Sequence, residues 1–249
     1  MIHRLPAEPE DNKNNMRIDK FLVSQNVGTR KEVQKLVRSK LVEVNGALVT
    51  KPDQKIDPDK DKIAVKGEKI EYSQYVYLVM NKPSGYVSAT SDRDEPTVID
   101  LVPKELRRKG IFPAGRLDKD TTGLLIITDD GEFAHRMLSP KKHISKKYVA
   151  EVDGEVTQDM VDSFEKGITF RDGTECMPAT LIPDENNPKK AQVIISEGKF
   201  HQVKKMFITQ GLRVKKLKRV SIGGFALPEN LPVGECRTML EEEKQQIFL

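Results

Sequence analysis

The sequence predicts an α+β protein in two parts: a small N-terminal unit of two short helices and a hairpin, then a larger unit on a mixed, mostly antiparallel sheet. Two helical patterns and an Asn-Gly hairpin follow one another within residues 17–49. Beyond residue 75, strand-like apolar runs outnumber helical patterns, and the helices are short. Between the two, 67–75 is polar and charged and reads as a linker. The expected division is therefore 1–15 as a disordered extension or start-site artefact, 16–66 as the first domain, 67–75 as linker and 76–249 as the second domain.

Residues 1–15 carry Pro6, Pro9 and the run Asp11-Asn12-Lys13-Asn14-Asn15 without periodicity, which places the functional start at Met16. Ile18, Phe21 and Leu22 then share one face of a short helix. Thr29 with Glu32 forms a capping box for a second helix, which turns Val33, Leu36 and Val37 one way and Lys31, Lys35 and Arg38 the other. Val42–Val49 reads as two strands about the turn Asn45-Gly46, and Ile63 and Val65 add a further strand. In the larger unit, Val76–Met80 and Gly123–Ile127 are buried strand runs, the second ended by Asp129-Asp130-Gly131. Phe133, Met137 and Leu138 mark a short helix stopped at Ser139-Pro140. Tyr148–Val152 and Gln192–Ser196 are further strands, and Val203, Met206 and Phe207 mark a helix closed by Gly211.

The 249 residues allow a sizeable core, so the fold needs neither disulfides nor structural metal. Only Cys176 and Cys236 are present, which excludes a disulfide scaffold or Cys-rich zinc module. The N-terminus has no apolar stretch of the kind that directs secretion. Runs such as Leu124–Ile127 fall far short of the roughly 20 residues that span a bilayer. A soluble, cytoplasmic protein without a membrane partner is expected. The net charge of +4 is modest, but its placement is not even. Lys199 to Arg219 holds eight Lys or Arg and no acid, and Met16 to Lys60 holds ten basic against six acidic residues. Two basic regions in a near-neutral chain point to a polyanion, with nucleic acid ahead of a membrane surface.

Common catalytic patterns are missing. Neither a P-loop nor Gly-x-Gly-x-x-Gly occurs, and His135 and His143 have no ligand spacing for a metal. The segment that stands out is Gly115-Arg116-Leu117-Asp118-Lys119-Asp120-Thr121-Thr122-Gly123, a polar loop with an Asp between cations leading into a buried strand. Its carboxylates could simply cap local N–H groups, and that is the expectation for Asp120.

Two resemblances sharpen this reading. The run RIDKFL, then TRKEVQKLVRSKLVEVNG, then a hairpin over Arg17 to Val65, resembles the S4 RNA-binding domain, which grips structured RNA by backbone charge and shape. The stretch GRLDKDTTGLLIITDDG resembles the active-site motif of pseudouridine synthases, whose essential Asp corresponds to Asp118. Lys82-Pro83-Ser84-Gly85, Lys147-Tyr148-Val149 and EGKFHQVKKMF from Glu197 match the same family in the same order. The combination with an S4 domain looks most like the members acting on small-subunit ribosomal RNA, and large-subunit enzymes are close. Many relatives carry Arg where this chain has Lys204-Lys205, so charge is retained without a forked geometry.

The resemblance implies isomerisation of uridine to pseudouridine: the C1′–N1 bond breaks, the base turns, and C1′ joins C5. No redox change and no water enter, so no cofactor and no metal are expected. Asp118 must be ionised, and Lys204 is implied as the cation that keeps it so, with Tyr148 stacking on the loosened uracil. Whether Asp118 attacks C1′, attacks the base or accompanies glycal formation is left open. Arg116 is implied to contact phosphate or to fill the stack left by a flipped nucleotide. Lys31, Lys35, Arg38, Lys199, His201 and Lys205 are the remaining expected RNA contacts. Leu217, Val220 and Ile222 line an apolar wall or belong to the core, and Lys82 and Pro83 are read as structural. The expected partner is ribosomal RNA or a small-subunit assembly intermediate, bound by a monomer. Two competing functions remain. A non-catalytic assembly factor would have no use for a carboxylate beside RNA phosphates, and an RNA N-glycosidase would need a second carboxylate across the pocket.

Overall fold

The computed structural model describes residues 15–249, so the extension expected at 1–15 lies, except for Asn15, outside the described residues. The chain divides into two compact units, one ending at Gln74 and the other running from Tyr75 to Leu249.

In the first unit, β1 (Met16–Arg17) leads into α1 (Ile18–Ser24) and α2 (Arg30–Arg38). The strands β2 (Val42–Val44), β3 (Ala47–Leu48), β4 (Lys55–Ile56), β5 (Ile63–Val65) and β6 (Glu68–Ile70) follow. Helix α1 buries Ile18, Phe21 and Leu22, α2 buries Val33 and Val37, and these pack on Val42, Val44, Val49, Ile56 and Ile63. The capping box forms: the Thr29 hydroxyl accepts from the Glu32 N–H, and Glu32 Oε2 accepts from the Thr29 N–H at 2.7 Å. Lys31, Lys35 and Arg38 are all exposed on the opposite side of α2. Asn45 and Gly46 take φ of 55° and 81°, the doubly left-handed turn that matches the twist of a two-residue hairpin.

The expected linker needs correction. Glu68–Ile70 is a strand at the edge of the sheet β3-β2-β5-β6, with Ile63 opposite Ile70, and it turns through Lys66 and Gly67 at φ of 54° and 82°. Its charges read as linker composition because an edge strand protects itself from further pairing with charge.

The second unit is a nine-stranded sheet. Its elements in chain order are β7 (Tyr77–Lys82), β8 (Phe112–Ala114), β9 (Thr122–Thr128), α3 (Gly131–Leu138), β10 (Lys146–Val152), α4 (Gln158–Lys166), β11 (Thr180–Asp184) and β12 (Asn187–Ile195). Then come α5 (Gln202–Thr209), β13 (Val214–Ile222), β14 (Phe225–Ala226), β15 (Cys236–Thr238) and α6 (Glu241–Gln246). The sheet order is β11-β12-β10-β13-β9-β7-β15, with β14 on β13 and β8 on β9. Every pair is antiparallel except β13 with β9. This is the mixed, mostly antiparallel sheet that the sequence predicts. Leu125 and Ile127 of β9 face one core with Tyr148, Ala150, Phe164 and Phe207, while Leu124 and Ile126 face another with Val79, Ala134, Met137 and Phe225. Burial on both faces is why β9 reads as an unbroken apolar run.

The parallel junction positions the site. Gly123 lies beside Arg219 at φ of 98°, and a Cβ there would stand 2.2 Å from the Arg219 carbonyl oxygen. Only glycine lets β9 enter the sheet at this point, directly after the Asp118 loop.

Candidate active site

The loop from Gly115 to Thr121 joins β8 to β9, and its turn closes through the Thr121 N–H donating to the Asp118 carbonyl at 3.1 Å. It is clamped from below by Lys82, the last residue of β7, whose side chain is fully buried. The three N–H groups of the Lys82 ammonium are shared among four carbonyls, those of Pro83, Asp118 and Lys119 at 3.1 Å and of Thr121 at 2.9 Å. Burial lowers its pKa to about 8, opposed by the Asp120 and Asp118 carboxylates. The Gly85 N–H donates to the Lys119 carbonyl at 2.8 Å, and Ser88 Oγ exchanges hydrogen bonds with both backbone groups of Leu117. The Lys82-to-Ser88 segment therefore acts as the seat of the Asp118 loop.

Helix α5 delivers the cation. Lys204 Nζ stands 3.1 Å from Asp118 Oδ2 and 2.5 Å from Asp120 Oδ1, and His201 Nε2 lies 3.5 Å from Asp118 Oδ1. Burial opposes the charge on Lys204, but its hydrogen bonds to Asp120 and Asp118 outweigh this and raise its pKa. Burial likewise opposes ionisation of Asp120, and Lys204 outweighs it, so that carboxyl is held below its ordinary value. Asp120 is thus more than the local N–H cap expected of it. Its signal in the sequence is only an acid two residues from Asp118, and nothing there shows that one lysine serves both.

An open pocket lies beside this pair, lined by Arg116, Asp118, Tyr148, Lys199, His201 and Leu217, with Ile195 and Val203 also contributing. Tyr148 is buried on β10, and Thr121 Oγ1 is buried at the pocket wall with no hydrogen-bond partner among the described residues. Asp120 is largely exposed and does not line the pocket. The wall expected from β13 is reduced to Leu217. Ile222 packs in the core with Val79 and Phe225, and Val220 lines a different cavity with Asn81 and Lys147.

The expected RNA contacts are spread more widely. Arg116 is exposed at the pocket rim. The Lys199 ammonium is ion-paired with Glu197, a buried carboxylate that also accepts from Gln202 Nε2 at 2.8 Å and the Met177 N–H at 2.9 Å. Glu197 opens the EGKFHQVKKMF motif, but the sequence assigns it no role; its contacts organise the approach to α5. The Lys205 ammonium lies 3.5 Å from Asp172 and near the rings of Phe170 and Phe200. Lys31, Lys35 and Arg38 belong to the other unit.

The mixed sheet of the second unit places Asp118 and Tyr148 at one pocket, with Lys204 paired to Asp118, and the first unit carries a basic helix. Residues 76–209 match the RNA pseudouridylate synthase family and 16–62 match the S4 domain; the chain belongs to the RNA pseudouridylate synthase family. It is therefore an isomerase acting on RNA. It is 40% identical over 230 residues to "Uncharacterized RNA pseudouridine synthase YtzG" of Bacillus subtilis (strain 168), covering 92% of this chain and 96% of that one. It is 37% identical over 229 residues to "Ribosomal small subunit pseudouridine synthase A" of Escherichia coli (strain K12), covering 92% of this chain and 98% of that one. A solved pseudouridylate synthase superposes with a TM-score of 0.64 at 33% identity, covering 93% of this chain and 99% of that chain. Among the described residues, no helix is long and apolar enough to cross a membrane.

Proposed function

We propose that the enzyme converts a specific uridine of small-subunit ribosomal RNA to pseudouridine, with Asp118 as the catalytic carboxylate. The observation that carries this is the Lys204 ammonium 3.1 Å from Asp118 Oδ2 at the mouth of a pocket walled by Tyr148 and Leu217. The target nucleotide flips into that pocket, because C1′ and C5 are shielded inside a helix. Asp118 acts on its sugar or base, the C1′–N1 bond breaks, and the uracil turns on the face of Tyr148. C1′ then bonds to C5, the proton on C5 leaves, and N1 gains a proton. No atom or electron is gained overall, so the residues present suffice without a cofactor. Arg116 contacts a phosphate or fills the vacated stack at the rim. His201, Lys199 and Lys205 border the RNA path, and Lys31, Lys35 and Arg38 hold the RNA backbone through the S4 domain.

Small-subunit RNA is favoured because the relatives named for that activity match over both units and nearly their full length. A monomer working in the cytoplasm, on free RNA or on an assembly intermediate, completes the reading. The test is release of tritium from 5-tritiated small-subunit RNA in single turnover, with pseudouridine mapping in the product. Wild type should release tritium at one site. Asp118→Asn should bind the RNA and release essentially none; release at the wild-type rate by that variant refutes the assignment.

A further inference from the structure

We propose that Phe200 is a stacking platform for an unpaired base flanking the target nucleotide, so that the enzyme holds its RNA by a second base beside the one it modifies. This rests on the pseudouridine synthase reading of the site. Phe200 lies between β12 and α5, and 68% of its surface is exposed. The other eight phenylalanines are all buried or half-buried, as the free energy of burying an aromatic ring favours. The exposed ring is nonetheless held in place. It stacks on the His201 imidazole with centroids 3.8 Å apart and planes 20° from parallel. His201 in turn has a left-handed backbone, φ 53°, which for a non-glycine residue persists only where the surroundings hold it and is concentrated at functional sites. The same His201 ring reaches Asp118 Oδ1 at 3.5 Å, so the platform is tied to the catalytic carboxylate.

The chemistry around the ring favours a nucleobase over a protein partner. Phe200 is flanked by the pocket-lining Lys199 and His201, and the Lys205 ammonium lies 5.5 Å from its centroid. An isolated aromatic face among cations is the arrangement that stacks a base while phosphates pass nearby, whereas a protein interface calls for a contiguous apolar patch. Extruding a uridine also leaves its neighbour without a stacking partner, and a π-face accepts any base in that position.

The test is a binding cycle on a fragment of small-subunit RNA containing the mapped uridine, alongside the same fragment with an abasic nucleotide at either flank. Phe200→Ala should weaken binding by roughly tenfold to a hundredfold, the usual worth of one base–aromatic stack. Phe200→Trp should retain affinity, and Phe200→Leu, which keeps apolar volume without a π-face, should behave like the Ala variant. An abasic site at one flank should weaken wild type by a similar factor while leaving Phe200→Ala unaffected. Losses that multiply independently at both flanks, or wild-type binding by both Phe200→Ala and Phe200→Leu, overturn the proposal. Wild-type tritium release on the intact fragment separates the two readings: with release present, those results overturn the platform alone. With release absent, the activity reading fails and the platform falls with it.

Discussion

Lys204 sets its ammonium 3.1 Å from Asp118 Oδ2, bringing a helix residue to a loop residue far away in the chain. The same ammonium is 2.5 Å from Asp120, so one cation balances two carboxylates. Removing that cation leaves the two carboxylates near one another, each disfavouring ionisation of the other. Lys204→Met should therefore slow single-turnover tritium release by more than it weakens RNA binding, and activity should appear at a higher pH than in wild type. Lys204→Arg keeps the charge and should recover most of the rate. A pH–rate profile unchanged in Lys204→Met, with weaker binding only, would make Lys204 a phosphate contact instead.

The two carboxylates should differ sharply in what their loss costs. Asp120 is largely exposed, and an exposed ion pair is worth at most about 1 kcal/mol, or roughly a fivefold change in rate. Asp120→Asn should keep a single-turnover rate within about fivefold of wild type. Measured beside Asp118→Asn in the same assay, a comparably complete loss in Asp120→Asn would show that the two act as a unit.

Lys82 makes stability depend on pH in an unusual direction. Its pKa falls from 10.5 to about 8 on folding, so between those values the unfolded chain binds more protons than the folded one. Stability from this group therefore rises with pH from about 8 to 10.5, and below 8 it carries the full cost of a buried ammonium. Lys82→Met removes the titration and takes a donor from four carbonyls; those of Asp118 and Lys119 keep the Thr121 and Gly85 N–H, so the loss falls on the carbonyls of Pro83 and Thr121, at about 1 to 3 kcal/mol per buried group left unpaired. The variant should be less stable than wild type at pH 7, and the gap should widen as pH rises toward 10. Denaturant midpoints at both pH values check this; a constant gap would mean that Lys82 does not titrate in this range. Lys146, also lowered to about 8 by burial, is present in both proteins and cancels in the comparison.

The basic face of α2 should govern affinity alone. Changing Lys31, Lys35 and Arg38 together to Gln should lower the slope of log affinity against log salt by about two to three, since each phosphate contact contributes roughly 0.7 to 0.9. The single-turnover rate at saturating RNA should match wild type, because Asp118, Tyr148 and Lys204 belong to the other unit, while kcat/KM falls. An unaltered slope across a salt series would mean that this face is merely solvated.

The elements legible in the sequence are those made by neighbours along the chain. The Thr29–Glu32 box, the Asn45-Gly46 turn, the apolar run of β9 and the Val203, Met206, Phe207 stripe of α5 depend on contacts a few residues apart, and each forms as the pattern predicts. The Asp118 loop stands out in the sequence through likeness to a family rather than through any local force.

Tertiary structure decided the rest. β13 holds a central place in the sheet although its sequence, Val214 to Ile222, is rich in lysine; its cations are mostly exposed while Leu217, Arg219 and Ile222 are buried. β6 reads as a linker because its strand character comes from pairing with β5, not from its own polar residues. The pairing of Asp120 with Lys204 spans 84 residues, and the Lys82 ammonium collects carbonyls up to 39 residues away. Caps, turns and periodicity are short-range and leave a mark at fixed spacing. Long-range ion pairs and buried donors leave none, because their geometry exists only once β7, β9, β13 and α5 have been brought together.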